Sequence, residues 1–245
     1  MRTSITMAIM SIFVAASACA CRAEITERWS GDVFAGYSET SGNTDKSAGS
    51  LDASASKKFW EGVLTVKARV FYSQSKKEMD EQKWDGLSKY AYDFGPEKRW
   101  FAMFQVLAEH DRFADIDYRV TPSIGVGNHL VRTEDRTWDA DASLGYAITR
   151  YRVNTADDDE TLVLLLHTFY KTRIFERAFI SEDFTVIPGL ESNSGVRIRS
   201  TTTLSNPLRY NLDFEIKYIL DYDSEPAVDK TSTDKQLVAG IKYKF

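Results

Sequence analysis

Residues 208–222, LRYNLDFEIKYILDY, alternate apolar and polar side chains along almost their whole length. One set runs from Leu208 to Tyr222 and is apolar throughout, while the opposite set contains Arg209, Glu215 and Lys217. Successive side chains of a β-strand point to opposite faces, so this period of two predicts a strand with one apolar and one polar face. This segment and similar ones along the chain are roughly nine to fifteen residues long. Strands in globular sheets usually have only 5–6 residues.

Alternating segments of this kind recur along the chain. Twelve can be counted, near 29–37, 47–59, 60–72, 84–94, 99–108, 118–130, 137–152, 161–172, 179–190, 196–204, 208–222 and 234–245. A tilted strand needs about 9–11 residues to cross a bilayer, and these segments provide them. The sequence therefore predicts an all-β fold, a single transmembrane antiparallel up-and-down β-barrel of about 12 strands within a range of 10–14. A soluble β-sandwich is the structural alternative, with shorter strands and more frequent turns.

The connections between these segments divide into two classes. The short ones, which we assign to the periplasm, are 57–58, 95–98, 132–136, 173–177 and 205–207. The longer and more polar ones, which we assign to the cell exterior, are 38–46, 73–83, 109–117, 154–160 and 223–233. A tryptophan, which suits a membrane interface, begins four of the strands that rise from the periplasmic side: Trp29, Trp60, Trp100 and Trp138. An even strand number also places both termini in the periplasm.

The first residues predict an export signal. Arg2 precedes an apolar core at 5–14, and small residues follow up to Ala23. Cleavage fits after Ala20 or after Ala23, and lipidation of Cys19 is the alternative. We therefore assign 1–23 to a signal peptide and 24–245 to a barrel domain in the outer membrane of a Gram-negative bacterium.

The end of the chain predicts how the barrel is assembled. Alternation continues through 237–245 and ends on Phe245, a pattern similar to the signal read by the bacterial barrel-assembly machinery. The expected partners are this machinery, the lipid bilayer, lipopolysaccharide and small solutes. The net charge of −5 and the absence of a dominant basic patch argue against nucleic acid. No zinc-type spacing, phosphate loop or dinucleotide fingerprint occurs, so no cofactor or metal is predicted.

The polar face of the strands predicts what fills the lumen. The charged candidates for lumen-facing positions are Lys67, Arg69, Arg119, Asp139, Asp141, Arg197, Arg199, Arg209, Glu215 and Lys217. Mixed charges can line a narrow pore or pair across the interior and hold it shut. Large apolar residues share the inward parity, namely Phe101, Met103, Leu107, Val163, Leu165 and Phe169. They favour a narrow or occluded lumen over a wide channel.

Histidine is the residue on which hydrolytic chemistry would depend. His110, in an expected outer loop beside Glu109 and Asp111, would suit an acid–base cluster, although a solvated loop histidine is the alternative. His129 and Ser123 share a face but lie six residues apart along one strand, about 20 Å at strand rise, too far to hydrogen-bond. No catalytic residues are therefore assigned, and an enzyme is not expected.

Three segments together resemble a known family. They are 36–44 (GYSETSGNT), 111–119 (DRFADIDYR) and the strand that ends in Phe245. The chain is similar over most of its length to the YdiY-like salt-induced outer-membrane proteins, a family of unknown function. The resemblance implies an outer-membrane barrel and brings no catalytic residue or substrate. Within the middle motif, we hypothesise a loop that folds onto the barrel mouth as a plug, with Asp111, Arg112, Phe113 and Asp117 as its candidate residues, and a compact surface loop is the alternative.

Three functions remain open from the sequence. The first is a narrow or gated channel for small solutes, and the second is a non-conducting structural barrel of the envelope-stress or osmotic response. The third is a surface hydrolase that depends on His110.

Overall fold

A computed structural model of the protein describes residues 28–40, 46–75, 78–112, 114–152, 159–191, 194–226 and 231–245. The expected signal peptide, 1–23, lies outside these residues. The described chain forms twelve β-strands: β1 (Ser30–Thr40), β2 (Lys46–Phe59), β3 (Gly62–Ser75), β4 (Glu78–Phe94), β5 (Trp100–Asp111), β6 (Ile116–Arg132), β7 (Arg136–Tyr151), β8 (Asp159–Arg173), β9 (Phe179–Pro188), β10 (Val196–Arg209), β11 (Leu212–Asp223) and β12 (Thr233–Lys244).

Each strand pairs antiparallel with its neighbours in sequence, and β1 pairs with β12 to close the barrel. At this seam Gly36 lies opposite Gly240, and the backbone of Gly31 exchanges two hydrogen bonds of 3.0 Å with that of Phe245. Closure leaves no unpaired edge among the twelve strands, which is how an all-β chain avoids edge-to-edge association. The prediction of a twelve-stranded up-and-down barrel is confirmed, and the sandwich alternative is wrong.

The two ends of the barrel differ in their connections. The end that carries the start of β1 and the end of β12, here called the terminal rim, has the connections 60–61, 95–99, 133–135, 174–178 and 210–211. The opposite end, the distal rim, has the connections 41–45, 76–77, 112–115, 152–158, 189–195 and 224–232. The expected contrast between short and long connections holds for 152–158, 189–195 and 224–232. It fails at 41–45, 76–77 and 112–115, which are no longer than the terminal connections 95–99 and 174–178.

The predicted loop 73–83 is therefore wrong, because β3 continues to Ser75 and β4 begins at Glu78. Both faces of this hairpin are polar in the sequence, so alternation gives no signal although the strands extend. Two predicted turns are also misplaced. Residues 57–58 belong to β2 and 205–207 to β10, and the chain turns at 60–61 and 210–211 instead. Trp60 and Tyr210 have φ values of 55° and 51°, a left-handed conformation that is uncommon for these residue types and that the sequence therefore does not predict.

The outward and inward faces differ as the alternation predicts. The outward positions expose large apolar side chains, for example Val70 at 50%, Ile124 at 65% and Leu237 at 59%. Large apolar side chains at inward positions are buried, for example Phe34 at 0% and Phe71 at 1%. The exposed tryptophans of the terminal rim are Trp29, Trp60, Trp100 and Trp138. The barrel thus presents an apolar wall outward and fills its own interior with side chains.

Candidate functional site: the barrel lumen

Two apolar patches narrow the lumen from different sides. The first patch consists of Phe34, Ala48, Phe71, Ile219 and Val238. The second patch consists of Ala147, Val163, Leu165 and Ile187. Elsewhere on the inward face, Phe101 and Met103 are 3% and 5% exposed, as their sequence parity indicates. Apolar groups therefore occupy much of the space that a wide porin would leave to water.

The remaining interior holds a charged group that we call the distal cluster. Its members are Arg69, Lys83, Asp85, Glu109, Arg197, Arg199 and Asp221. Arg69 donates to Asp85 through Nη2 at 2.6 Å and Nε at 2.9 Å. Asp221 accepts from Lys83 Nζ and from Arg199 Nε, both at 2.9 Å. The side chains are only 11–31% exposed, so these ion pairs are screened less than surface pairs would be.

Glu109 joins the two arginines of β10 within this cluster. It accepts from Arg197 Nη1 at 3.0 Å and from Arg199 Nη2 at 3.2 Å. Arg199 also lies 3.7 Å from Asp85, so its guanidinium faces three carboxylates from β4, β5 and β11. Planar guanidinium groups suit such bridging because their donors are fixed in a fork.

The contact between Arg199 and Asp85 crosses the full width of the barrel. Arg199 lies on β10 and Asp85 on β4, and these strands are six positions apart in either direction around the closed ring of twelve. Side chains from opposite walls therefore meet at a nitrogen–oxygen distance of 3.7 Å. Neither an ion nor a water molecule can pass between groups at that separation.

A second crossing is made by a group that we call the central cluster, which consists of Lys67, Lys89, Asp141, His167 and Asp183. Lys67 on β3 lies 3.5 Å from Asp183 on β9, and these strands are again diametrically opposed. His167 lies between Asp141 at 2.9 Å and Asp183 at 3.3 Å, while Lys89 donates to Asp141 at 3.0 Å. Lys67 is 49% and Asp183 37% exposed, so the pair that crosses the lumen here is more exposed to water than the pairs of the distal cluster.

Two further groups of charges lie against the wall. Glu215, which is fully buried, pairs with Lys242 and lies 3.6 Å from Lys217, whose ammonium also contacts Asp52. Asp139 contacts His129 Nδ1, and the His129 ring stacks on Phe101 at a centroid distance of 4.7 Å. Charged groups thus line the lumen from the terminal rim to the distal cluster.

Most of the lumen-facing residues predicted from sequence lie inside the barrel, and one does not. Lys67, Arg69, Asp139, Asp141, Arg197, Arg199, Glu215 and Lys217 are members of the groups above, and Arg119 donates to Thr149 at 3.0 Å. Arg209 is misplaced, because the register shifts between Pro207 and Arg209 and pairs Arg209 with Leu212. A bulge of one residue reverses the parity of a strand, so the Arg209 guanidinium lies over the ring of Tyr210 at the exposed terminal rim.

The loop-plug candidates lie at the distal rim. Asp111 ends β5 and accepts from the Ala114 amide at 3.0 Å, while Arg112 donates to Gln82 at 3.2 Å. Phe113 lies outside the described residues. The carbonyl of Asp117 contacts His110 Nδ1 at 2.7 Å. These contacts describe a compact connection, with the buried Ile116 directed inward at its base.

The acid–base cluster that the sequence suggested around His110 does not form. Strand β5 extends to Asp111, so Glu109 and His110 point to opposite faces. Glu109 enters the distal cluster, whereas His110 stacks on Trp84 at 5.7 Å on the outer wall.

Several members of the clusters were missed by the sequence argument, namely Asp52, Lys83, Asp85, Lys89, Glu109, His167, Asp183 and Asp221. Lys83 and Glu109 fell in segments assigned to loops. Asp183 and His167 had the right parity, and extending the alternation test to every polar residue would have found them. Their partners lie on strands distant in sequence, so no pattern could have paired them.

The structure defines a class, a closed antiparallel barrel of twelve strands with an apolar outer wall and a charged, constricted interior. In the described residues no helix is both long and apolar enough to cross a membrane. Nor do those residues contain a group of three or more His, Cys, Asp or Glu side chains arranged so that they could hold a metal ion.

The chain belongs to the family described as "Protein of unknown function, DUF481", whose model matches residues 33–245. No curated protein matches it. Among solved structures it is similar to the NanC porin, with a TM-score of 0.54 and 13% identity over 88% of this chain and 100% of that one. It is also similar to the KdgM porin (TM-score 0.46, 13% identity, 88% and 99% covered). The translocator domain of the autotransporter NalP from Neisseria meningitidis gives a TM-score of 0.46, with 10% identity and 98% and 96% covered. At 13% identity the likeness to the NanC porin shows the barrel fold alone.

Proposed function

We propose that this protein is an outer-membrane barrel with both termini in the periplasm, exported by a leader at 1–23 that is cleaved after Ala20 or Ala23. The support is its apolar outer wall, the exposed tryptophans of the terminal rim, and the placement of its longest connections at the distal rim. Its bilayer contacts include lipopolysaccharide at the distal rim. The last strand, ending on Phe245, is the segment that the barrel-assembly machinery reads.

We further infer that the lumen is a narrow channel for small hydrophilic solutes, constricted by ion pairs. The observation that carries this proposal is the pair of contacts between opposite walls, Arg199–Asp85 and Lys67–Asp183. Charged rings and constrictions set selectivity and gating in narrow pores. The clusters continue along the interior, so solutes would meet polar groups along the path once the side chains part.

A non-conducting structural barrel is the second candidate, and the two apolar patches favour it. Phe34, Phe71 and Ile219 are almost completely buried inside the lumen, as the core of a solid barrel would be. In this case the distal cluster would only fasten β4 and β5 to β10 and β11. The two candidates differ in whether ions flow when the distal cluster is weakened.

Conductance of the refolded protein in planar bilayers separates the two candidates. We expect small discrete currents from the wild type and an increase on the order of threefold or more in Arg197→Ala/Arg199→Ala, because two side chains that narrow the lumen at the distal cluster are removed. Arg209→Ala is the matched control, since this arginine lies outside the lumen at the terminal rim. Its currents should equal those of the wild type.

Folding is checked independently by the shift in gel mobility that intact barrels show on boiling. If neither the wild type nor the double variant carries current while both show that shift, the channel proposal is overturned and the structural barrel remains. A wild type without the shift would count against the membrane barrel itself.

A further inference from the structure

One lumenal arginine has no carboxylate partner of its own. Arg119 is the fourth residue of β6, and its Nε donates at 3.0 Å to the hydroxyl of Thr149, which is 1% exposed. Within the part of the chain that the structure describes, Arg119 makes no ion pair. A guanidinium has five N–H donors, so the two Nη groups of Arg119 remain available to a ligand. The bond to the buried Thr149 holds the guanidinium in place.

Arg119 lies beside the distal cluster. In the register of β5 and β6 it is the partner of Glu109, and cross-strand partners on one face have neighbouring side chains. Glu109 already accepts from Arg197 at 3.0 Å and from Arg199 at 3.2 Å. Arg119 is close enough for its charge to act on both Glu109 and Arg197. Three guanidinium groups therefore converge on one carboxylate.

Arg197 is also short of negative charge. Its carboxylate contact is Glu109, which it shares with Arg199, whereas Arg199 has further contacts with Asp85 and Asp221. The charge of Asp223 also acts on Arg197, but this carboxylate accepts from the backbone amide of Glu225 at the distal turn.

Charged groups inside a barrel are paired as a rule. Two neighbouring guanidinium groups with one shared carboxylate between them depart from that rule, and they leave a place for an anion.

The position of the two arginines fits a ligand that arrives from the distal rim. Strands β6 and β10 both begin there, and Arg197 is the second residue of β10, nearer to that rim than Arg199. The fork of donors on a guanidinium matches the two oxygens of a carboxylate, and such charge-assisted hydrogen bonds are among the strongest in proteins. A carboxylate on a small organic molecule is therefore the group that this place suits.

We propose that Arg119 and Arg197 form an anion site, which binds one carboxylate of a small organic anion at the distal end of the lumen. The incoming carboxylate accepts from the Nη groups of Arg119 and competes with Glu109 for Arg197. That competition loosens the contact by which β10 reaches β5 across the lumen. The inference rests on the proposed channel and names the class of solute that the channel admits.

Block of the chloride current tests the anion site. Gluconate and sorbitol have the same carbon chain, and only gluconate carries a carboxylate. Added to both sides of a planar bilayer at constant potassium concentration, millimolar gluconate should lower the current of the refolded wild type, because a bound anion occupies the narrow lumen. Sorbitol should leave the current unchanged. Equal effects of the two compounds would contradict recognition of the carboxylate.

Two variants locate the site. Arg119→Gln should need about tenfold more gluconate for half of the block, since hydrogen bonds to a charged group are lost. Lys171→Gln is the control, because it removes a cation near the terminal end of β8, where Lys171 lies over the Phe179 ring at 4.5 Å. Its half-block should equal that of the wild type. If Arg119→Gln behaves like the wild type, the site does not lie at Arg119.

Binding can also be measured without any current. Saturation-transfer NMR with the refolded protein in detergent should detect gluconate but not sorbitol, and the gluconate signal should fall in Arg119→Gln. If that variant lacks the heat-dependent gel shift of a folded barrel, Arg119→Lys, which keeps the charge but not the planar fork, takes its place.

The two measurements distinguish a failed site from a failed channel. Currents that gluconate does not block, together with no saturation transfer, would overturn the anion site and leave the channel. A silent bilayer with saturation transfer that depends on Arg119 would overturn the channel and leave the site. A silent bilayer without saturation transfer would overturn both.

Discussion

The distal and central clusters both join opposite walls of the barrel, but they are built from different residues. The distal crossing uses Arg199, whose guanidinium reaches three carboxylates, and its members are at most 31% exposed. The central crossing uses Lys67, which has one carboxylate contact at 3.5 Å and is 49% exposed. An arginine in a partly buried network resists opening, whereas an exposed lysine pair exchanges its partner readily for water. The difference predicts that the distal cluster is the main barrier and the central cluster a minor one.

The largest effect should come from removing the carboxylate that two arginines share. Glu109→Gln leaves Arg197 and Arg199 with less compensation in a buried site, and breaking buried pairs in this way costs about 3 kcal/mol. Urea unfolding in detergent, followed by tryptophan fluorescence, measures the loss. Glu39→Gln is the control at the exposed outer wall and should change the free energy of unfolding by less than about 0.5 kcal/mol. Equal losses in both variants would show that the distal cluster is not a stabilising network.

The next effect concerns ion selectivity. The distal cluster contains four cationic and three anionic side chains, so Asp85→Asn raises its formal excess of positive charge. We expect the reversal potential in a potassium chloride gradient to shift towards anion selectivity, because the charge at the constriction sets which ion is favoured. Asp135→Asn, at a terminal-rim turn where it pairs with Arg173, is the control. The prediction fails if both variants shift alike.

A smaller effect is expected at the central cluster. Lys67→Met keeps the length of the side chain but removes its contact with Asp183, and exposed pairs of this kind contribute about 0.2–1 kcal/mol. Conductance should therefore rise less than in the distal double variant, with little change in the free energy of unfolding. Lys57→Met, at the outer wall above the Trp29 ring, serves as the control. A rise as large as the distal one would reverse the ranking of the two barriers.

The smallest effect should come from salt. At about 1 M salt the screening length falls to about 3 Å, which weakens exposed pairs more than buried ones. After correction for bulk conductivity, the wild type should gain slightly, whereas Lys67→Met should gain nothing because its exposed pair is already absent. A gain of equal size in both proteins would show that salt acts elsewhere than on the central cluster.

The sequence determined the strands, their number and the face to which most side chains point. Alternation in segments such as 212–222 reflects a local rule, since neighbouring side chains of a strand must point in opposite directions. The prediction of strands and faces failed where the side chains do not alternate or where the register shifts. The hairpin around 76–77 is polar on both faces, and at Arg209 a bulge reversed the parity.

Only the tertiary structure decided which charges meet. Arg199 and Asp85 are separated by more than a hundred residues, and Lys67 and Asp183 by 116. Closure of the ring places their strands opposite one another, and the reach of the long side chains then decides whether they touch. The sequence of one strand does not predict which residue lies on the opposite wall, so the constriction is visible only in the closed barrel.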